Sequence, residues 1–583
     1  MAPLKTSLIW VFYSVVVVIL AMVALVFIRI YQAPRDRSSV VNLTCTVAIT
    51  SLLATILLLP VDVALVSSTT SSKLGQRKDW ATQHEVDKIT SLLTTIYYLL
   101  YSIDAFLCLL VIPFIYFWYE EYDEVAAEAG EQSAAKRLWT ALKYTISFIA
   151  IVVVLSVVGF LAPVSKARDI KDPEYLRKLL AENRGERAFA FALGLLITIG
   201  LVLYVLYTSS GLALLPIRII RVPPSASDVA WKSTTATQLE SNRERQRKLE
   251  GRCGGNPAIL SSKDRRELDT LVRDERTLIR RQRLADEARS DGRSLLMRAW
   301  LMIKIFFRPF KLLGGIILAF ITLVMWASML LTAIDKAKNS ICKHRCGYIL
   351  GHISVFNPVN WVFVQSAQVF PVDYLIFILL VLLLFFSSVV GVSTIGIRFL
   401  WIRIFRIRKG HTSPQALLSA TALLMLIIFA LDYSVPMLVA PQYATFGPQT
   451  FCDHPLNSLE RLPDCSTSRH LVKPCSEQTD NMEAKRVCTP SVASTFINRV
   501  TMSFPFFGTI LFWSQFMFLG TYLLVFVVSI FCPPKLDQRL LDQDAEDAEE
   551  ESLLANTGRR VDATWYGIIN RTGRQNGITN IGE

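Results

Sequence analysis

Apolar positions along this chain gather into nine runs, each long enough to cross a hydrocarbon core of about 30 Å as a helix. The pattern predicts spans near Ser7–Ile30, Val41–Val66, Ser91–Trp118, Leu142–Leu161 and Ala188–Pro216. After a long polar insert it predicts four more, near Leu312–Ile334, Val372–Ile397, Ala416–Ala440 and Pro505–Phe531. The first run is longer than a secretory h-region, and Arg29-Ile30-Tyr31 is no small-residue cleavage site, so it reads as a retained anchor. The expected fold is an all-α polytopic membrane protein in a five-plus-four arrangement. Nine is odd, so the termini fall on opposite faces, and loops after even-numbered spans share the face of the N-terminus.

Cysteines assign the faces. Six of the ten lie in two inter-helix loops, Cys342 and Cys346 in one and Cys452, Cys465, Cys475 and Cys488 in the other, both on the N-terminal face. Disulfides persist in oxidising compartments, so the N-terminus is expected to be lumenal and the C-terminus cytosolic. Arg29, Arg35 and Arg37 after the first span, and Arg398, Arg403, Arg406, Arg408 and Lys409 after the seventh, fit cytosolic loops. The lumenal segment Lys166–Arg187 is also basic, balanced by Asp169, Asp172, Glu174, Glu182 and Glu186, so the cysteines weigh more. Cys342-Lys343-His344-Arg345-Cys346 reads as a local disulfide rather than a metal site, because no second Cys or His pair stands nearby to complete four ligands. The four cysteines from Cys452 to Cys488 form two bridges that staple a small cap, in a pairing that spacing leaves open.

These boundaries divide the chain into residues 1–217 with five spans, a basic cytosolic helical insert at 218–311, and 312–440 with spans six to eight and a lumenal loop at 335–371. A disulfide-stapled lumenal loop at 441–504, the ninth span at 505–531 and an acidic tail at 532–583 follow. Within the insert, Ser262–Ser290 reads as a charged helix with Leu268, Val272 and Ile279 at helical spacing. A solvated helical hairpin accounts for it; a partner-binding coiled coil is the sharper alternative, with fewer than three clean heptads behind it. Trp300–Phe310, carrying Lys304 and Arg308, suits an interfacial helix. In the tail, Glu549 with Leu553-Leu554, and Tyr566 with Ile569, resemble dileucine and tyrosine sorting signals. Clathrin adaptors read such signals from the cytosol, so a lysosomal or vacuolar address follows, reached directly or through the plasma membrane.

A mean hydropathy of +0.40 supports the membrane class independently. The net charge of +13 sits largely in the insert, where an anionic leaflet is the nearer partner, so no nucleic acid is implied. Enzyme motifs are near misses. Lys88 stands where a zinc-protease helix beginning at His84-Glu85 would need histidine, and Ile395 stands where the nucleophile elbow after Gly391-Val392-Ser393-Thr394 would need glycine. No phosphate loop is present, so the chain is not expected to be an enzyme or to hydrolyse ATP, and it carries no covalently bound cofactor.

Ionisable groups inside spans are costly, which makes Asp62, Asp104 and Asp432 the site candidates. Helical spacing stacks Tyr97, Tyr101 and Asp104 on one face, lining either a polar cavity or a buried hydrogen-bond network. Asp62 follows Pro60 and Asp432 precedes Pro436, so helix breaks are expected beside both.

The stretch Tyr97-Tyr98-Leu99-Leu100-Tyr101-Ser102-Ile103-Asp104-Ala105, continuing to Pro113-Phe114-Ile115-Tyr116-Phe117-Trp118-Tyr119-Glu120-Glu121, resembles the third helix of the limb-region and lipocalin-receptor-like membrane protein family. Leu59-Pro60-Val61-Asp62-Val63 fits its second helix, and the overall arrangement resembles the branch concerned with lysosomal cobalamin. The resemblance implies cobalamin as cargo and a lysosomal ABC transporter as the partner that supplies ATP hydrolysis. No cobalamin-contacting residue carries over. Two other readings stand beside it: a cell-surface receptor for a ligand such as a lipocalin-like carrier, and a secondary transporter in which Asp104 or Asp432 cycles a proton. The sequons at Asn42 and Asn570 fall on or beside cytosolic segments, so neither is expected to carry a glycan.

Overall fold

The computed structural model describes residues 2–32, 38–121, 133–161, 184–220, 229–252, 267–268, 270–272, 274–276, 278–279, 308–340, 348, 355–399, 402–405, 407, 412–453, 465, 469–476 and 482–531. Among them, nine helices are long and apolar enough to cross a membrane, as the apolar runs predict. The chain forms two units, Met1–Arg218 with Gly315–Phe531, and Ile219–Gly314 with Cys532–Glu583.

The first unit opens with α1 (Ala2–Tyr31) and α2 (Ser39–Ser67), followed by a small hairpin of β1 (Thr70–Ser71) and β2 (Gln76–Arg77). The third span runs from α3 (Gln83–Phe106) through a π-turn at Leu107–Val111 into α4 (Ile112–Glu120). α5 (Ala134–Leu161) is the fourth, and the fifth joins α6 (Arg184–Leu203) to α7 (Ser209–Ile220) through a π-turn at Tyr204–Thr208. In the second unit lies α8 (Val229–Arg252), on which Asn242 and Gln246 donate to the Leu271 carbonyl at 3.0 and 2.9 Å. Arg243 pairs with Glu275 at 2.8 Å and holds its carboxyl below the usual range. These polar bonds join α8 to the described residues around Leu271 and Glu275.

The first unit resumes with α9 (Arg308–Asn339), α10 (Pro358–Ser366) and α11 (Val372–Ile395), then a hairpin of β3 (Ile397–Phe399) and β4 (Ile402–Phe405). α12 (Pro414–Ser434) ends in a π-turn at Val435–Val439 and is followed by the short α13 (Pro441–Phe446). The cap pairs β5 (Thr450–Cys452) with β6 (Val472–Pro474) antiparallel and adds α14 (Met482–Val487). Its bridges are Cys452–Cys465 and Cys475–Cys488, which settles the pairing. Cys342 and Cys346 lie outside the described residues. α15 (Val492–Ser503) and α16 (Pro505–Phe531) close the unit.

Two expectations change. α2 runs through Pro60 unbroken, whereas Pro436 does fall in an irregular turn. The third span starts at Gln83 rather than Ser91, because Thr82 caps the helix by accepting from Glu85 at 3.4 Å and its polar first turns carry no hydropathy signal.

α2 and α12 form the centre, with 83% and 78% of their apolar stretches buried, against 11% for α5 and 22% for α1. Glycines let the backbones approach. A Cβ on Gly391 of α11 would lie 1.9 Å from the Tyr207 carbonyl, and one on Gly211 of α7 would lie 1.7 Å from the Ser387 carbonyl. Reciprocal small residues of this kind are how helices pack without a hydrophobic driving force in lipid. α9 and α16 instead meet along a polar ladder. Tyr522 donates to Thr322 at 3.1 Å, Trp326 to the Leu519 carbonyl at 3.1 Å, and Gln515 to the Met329 carbonyl at 2.8 Å.

Candidate functional site

Asp104 projects from α3 onto α2, where Ser51 and Thr55 sit one turn apart on one face. Each hydroxyl donates to a different carboxyl oxygen at 2.6 Å, so no cation is needed to satisfy the buried group. One turn back, Tyr101 lies within electrostatic reach of both Asp104 and Asp432. Its ring stacks on Tyr97 at 6.1 Å and on Phe496 of α15 at 5.4 Å.

Asp62, near the end of α2, accepts the backbone amide of Ala493 at 2.9 Å. Ala493 is in the first turn of α15, whose cap Ser491 accepts from Ser494 at 3.2 Å. Tyr97 lies within electrostatic reach of Asp62. The five intramembrane candidates are therefore brought together. Asp62 and Tyr97 meet at the α15 end, while Tyr101 lies between Asp104 and Asp432.

Asp432 is buried, and its Oδ2 has no hydrogen-bond partner among the described residues. It borders a cavity of about 10 Å³ also lined by Tyr101, Gly194, Phe496, Thr501 and Phe507. That volume suits one water, which would answer an orphaned carboxyl oxygen. Asp104 and Asp432 each stand three residues ahead of a π-turn, at Leu107 and Val435 respectively. Such turns leave the regular helical ladder and recur at functional sites. Chemically, the cluster offers carboxyls, phenols and hydroxyls that can hold and relay protons. Among the described residues no group of three His, Cys, Asp or Glu could hold a metal ion.

A second buried polar group escaped the sequence reading. Asp373, in the first turn of α11, accepts from the Tyr443 hydroxyl at 3.0 Å, and Asn360 accepts from the Gln442 and Tyr443 amides at 3.1 and 3.4 Å. Burial, reinforced by Asp373, pushes the Tyr443 hydroxyl well above its ordinary range. The signal was weak, because an acid at the start of an apolar run reads as a boundary. The sorting residues Glu549, Leu553, Leu554, Tyr566 and Ile569 lie outside the described residues.

Comparison with known proteins adds a family. The model of the family described as LMBR1-like membrane protein matches residues 9–265. The chain is 72% identical over the whole of both chains to a protein of Aspergillus niger named "Probable lysosomal cobalamin transporter". It is 69% identical to an identically named protein of Aspergillus terreus, covering 99% of this chain and 100% of the relative. It is 61% identical to another of Ajellomyces capsulatus, covering 98% of each. No solved structure matches.

Proposed function

We propose that this chain, which belongs to the LMBR1-like membrane protein family, serves the export of cobalamin from the lysosome or vacuole to the cytosol. The observation that carries the reading is end-to-end identity to relatives named as lysosomal cobalamin transporters, with nine helices among the described residues long and apolar enough to cross a membrane. On this reading it is a transport protein and not an enzyme.

The cavity beside Asp432 supports a division of labour. At about 10 Å³ it admits a water, not a corrinoid, so a corrinoid would pass there only after the helices part. An escort role beside a lysosomal ABC transporter fits the small size of this cavity, with ATP hydrolysis supplied by the partner. The disulfide-stapled cap supports a lumenal assignment for residues 441–504, hence a lumenal N-terminus and a cytosolic tail. That tail would present Leu553, Leu554 and Tyr566 to clathrin adaptors, with passage through the plasma membrane on the way.

The deciding experiment follows labelled cobalamin between organelle and cytosol in cells lacking the chain and in cells restored with it. Retention in the organelle that restoration reverses supports export; an unchanged distribution removes the reading. One alternative has an observation of its own. Asp104 is bonded by two hydroxyls and Asp432 keeps an orphaned oxygen, an arrangement compatible with proton coupling. Under that alternative Asp104→Asn abolishes gradient-driven cobalamin uptake into reconstituted vesicles, whereas an escort shows no uptake to lose.

A further inference from the structure

Away from the acidic cluster, the junction of the cap with the α2–α3 connection holds a second cavity, of about 420 Å³. Its walls come from three places in the chain. Arg77 enters from β2, Gln83, Val86, Asp87 and Thr90 from the first turns of α3, and Lys485, Arg486, Cys488 and Thr489 from α14 and the segment after it. Among the described lining residues three are cationic, Arg77, Lys485 and Arg486, and one, Asp87, is acidic. That carboxylate, Asp87, already accepts from Gln83 at 3.0 Å, and Arg77 donates to the same Gln83 at 2.5 Å, so the guanidinium is held by a neutral amide.

The walls are fixed before any ligand arrives. The Cys452 amide donates to the Gly75 carbonyl at 3.1 Å and Thr450 to the Ser72 carbonyl at 3.1 Å, tying the β1–β2 hairpin to the cap. Gln449 and Thr489 exchange two hydrogen bonds at 2.8 and 3.0 Å, and the Cys475–Cys488 bridge anchors the same segment. Two polar atoms of the lining, Arg77 Nε and Thr489 Oγ1, are nevertheless buried with no hydrogen-bond partner among the described residues. Both can donate, and buried donors are rarely left orphaned. Burial also pulls the Arg77 guanidinium below its ordinary range, a cost that a bound anion would relieve. The first turn of the 24-residue α3 adds the positive end of its dipole to the same cavity.

We propose that this cavity is an anion site that takes a phosphate group, with Arg77 and Thr489 as the inner donors and Lys485 and Arg486 as the outer cations. Planar guanidinium forks match phosphate oxygens, and a neighbouring hydroxyl and helix N-terminus complete a common phosphate environment. Phosphate esters reach such a site from two sources, a soluble molecule or a lipid headgroup.

The test uses the purified full chain in nanodiscs and reads thermal stabilisation by ribose 5-phosphate against neutral ribose. Ribose 5-phosphate is expected to stabilise saturably and ribose not at all. Arg77→Gln should weaken the response at least about tenfold, the worth of one charge-assisted hydrogen bond. The double variant Lys485→Gln with Arg486→Gln, whose side chains are exposed, should weaken it too and serves if Arg77→Gln fails to fold. Lys473→Gln, on the same cap but paired with Asp453 outside the cavity, should respond like the parent. Stabilisation by phosphatidylglycerol over phosphatidylcholine nanodiscs, lost in the same variants and without a ribose 5-phosphate effect, assigns a headgroup instead. Equal responses to ribose and ribose 5-phosphate with no lipid preference, or a folded Arg77→Gln that responds like the parent, overturn the site.

Discussion

The Asp62 carboxylate accepts the amide of Ala493 at 2.9 Å, joining positions 431 residues apart. A buried acid in the second span thus serves the start of the helix that precedes the ninth, where the orphan amides of a first turn and the positive helix end both favour an anion. Asp62→Ala leaves that amide buried without an acceptor and is expected to cost about 1–3 kcal/mol. Asp62→Asn keeps an acceptor oxygen and should recover much of the loss. Thermal unfolding of the purified chains in detergent decides; equal losses in the two variants would assign the effect to charge.

Ser51 and Thr55 share one acceptor group, so their contributions to stability should be coupled. Ser51→Ala and Thr55→Val each remove a donor from Asp104. A double-mutant cycle is expected to give an interaction of at least about 0.5 kcal/mol, whereas independent sites would add. An additive cycle would mean that water replaces either hydroxyl freely.

Glycine substitutions should divide sharply by position. Gly391→Ala and Gly211→Ala place a methyl within 1.9 Å and 1.7 Å of carbonyl oxygens on the facing helix, so both should lower expression of folded protein. Gly520 has nothing within 4 Å of its added methyl, and Gly520→Ala should gain up to about 1 kcal/mol from helix propensity alone. Fluorescence size-exclusion of tagged variants separates the two outcomes.

Gln515→Leu should matter little despite its burial. It removes a hydrogen bond to the Met329 carbonyl, worth about 0.6 kcal/mol on average between membrane helices, but also removes Oε1, which has no partner among the described residues. Unfolding midpoints of Gln515→Leu and Gly391→Ala, measured together, should rank the glycine change far above the glutamine.

Each cap bridge closes a sequence separation of 13 residues, and loops of about that size gain roughly 3 kcal/mol when bridged. Replacing Cys475 and Cys488 together by Ser should expose the cap to limited proteolysis while the nine helices still extract as folded protein. Non-reducing peptide mapping should recover Cys452 with Cys465 and Cys475 with Cys488; any crossed pair would contradict the fold of the cap.

The nine helices were legible because length and apolarity alone decide whether a segment stays in lipid, and no tertiary contact is needed to read them. The Tyr97–Tyr101 stack was legible for a similar reason, since a spacing of four places both rings on one helix face. Asp104's partners were not, because Ser51 and Thr55 are small hydroxyl residues of a kind that commonly bond back to their own helix, and only the packing of α2 on α3 turns them toward the acid. The role of Pro60 was misread, since a proline inside a span can be accommodated when neighbouring helices enclose it. α15 escaped altogether. Twelve residues cannot span a bilayer, and its one local sign was Ser491 as a cap after Pro490.

The central place of α2 bears on how the protein is made. Ser51 and Thr55 meet Asp104 of the very next span, yet α12, which packs on α2, and the Ala493 amide that Asp62 serves come from the last third of the chain. Until those arrive, α2 is apolar enough to stay in lipid, but its Asp62 carboxyl lacks the amide that it serves in the finished fold. Truncations ending between the seventh and eighth spans should accordingly insert, yet leave Asp62 without its acceptor role and be degraded faster than the full chain.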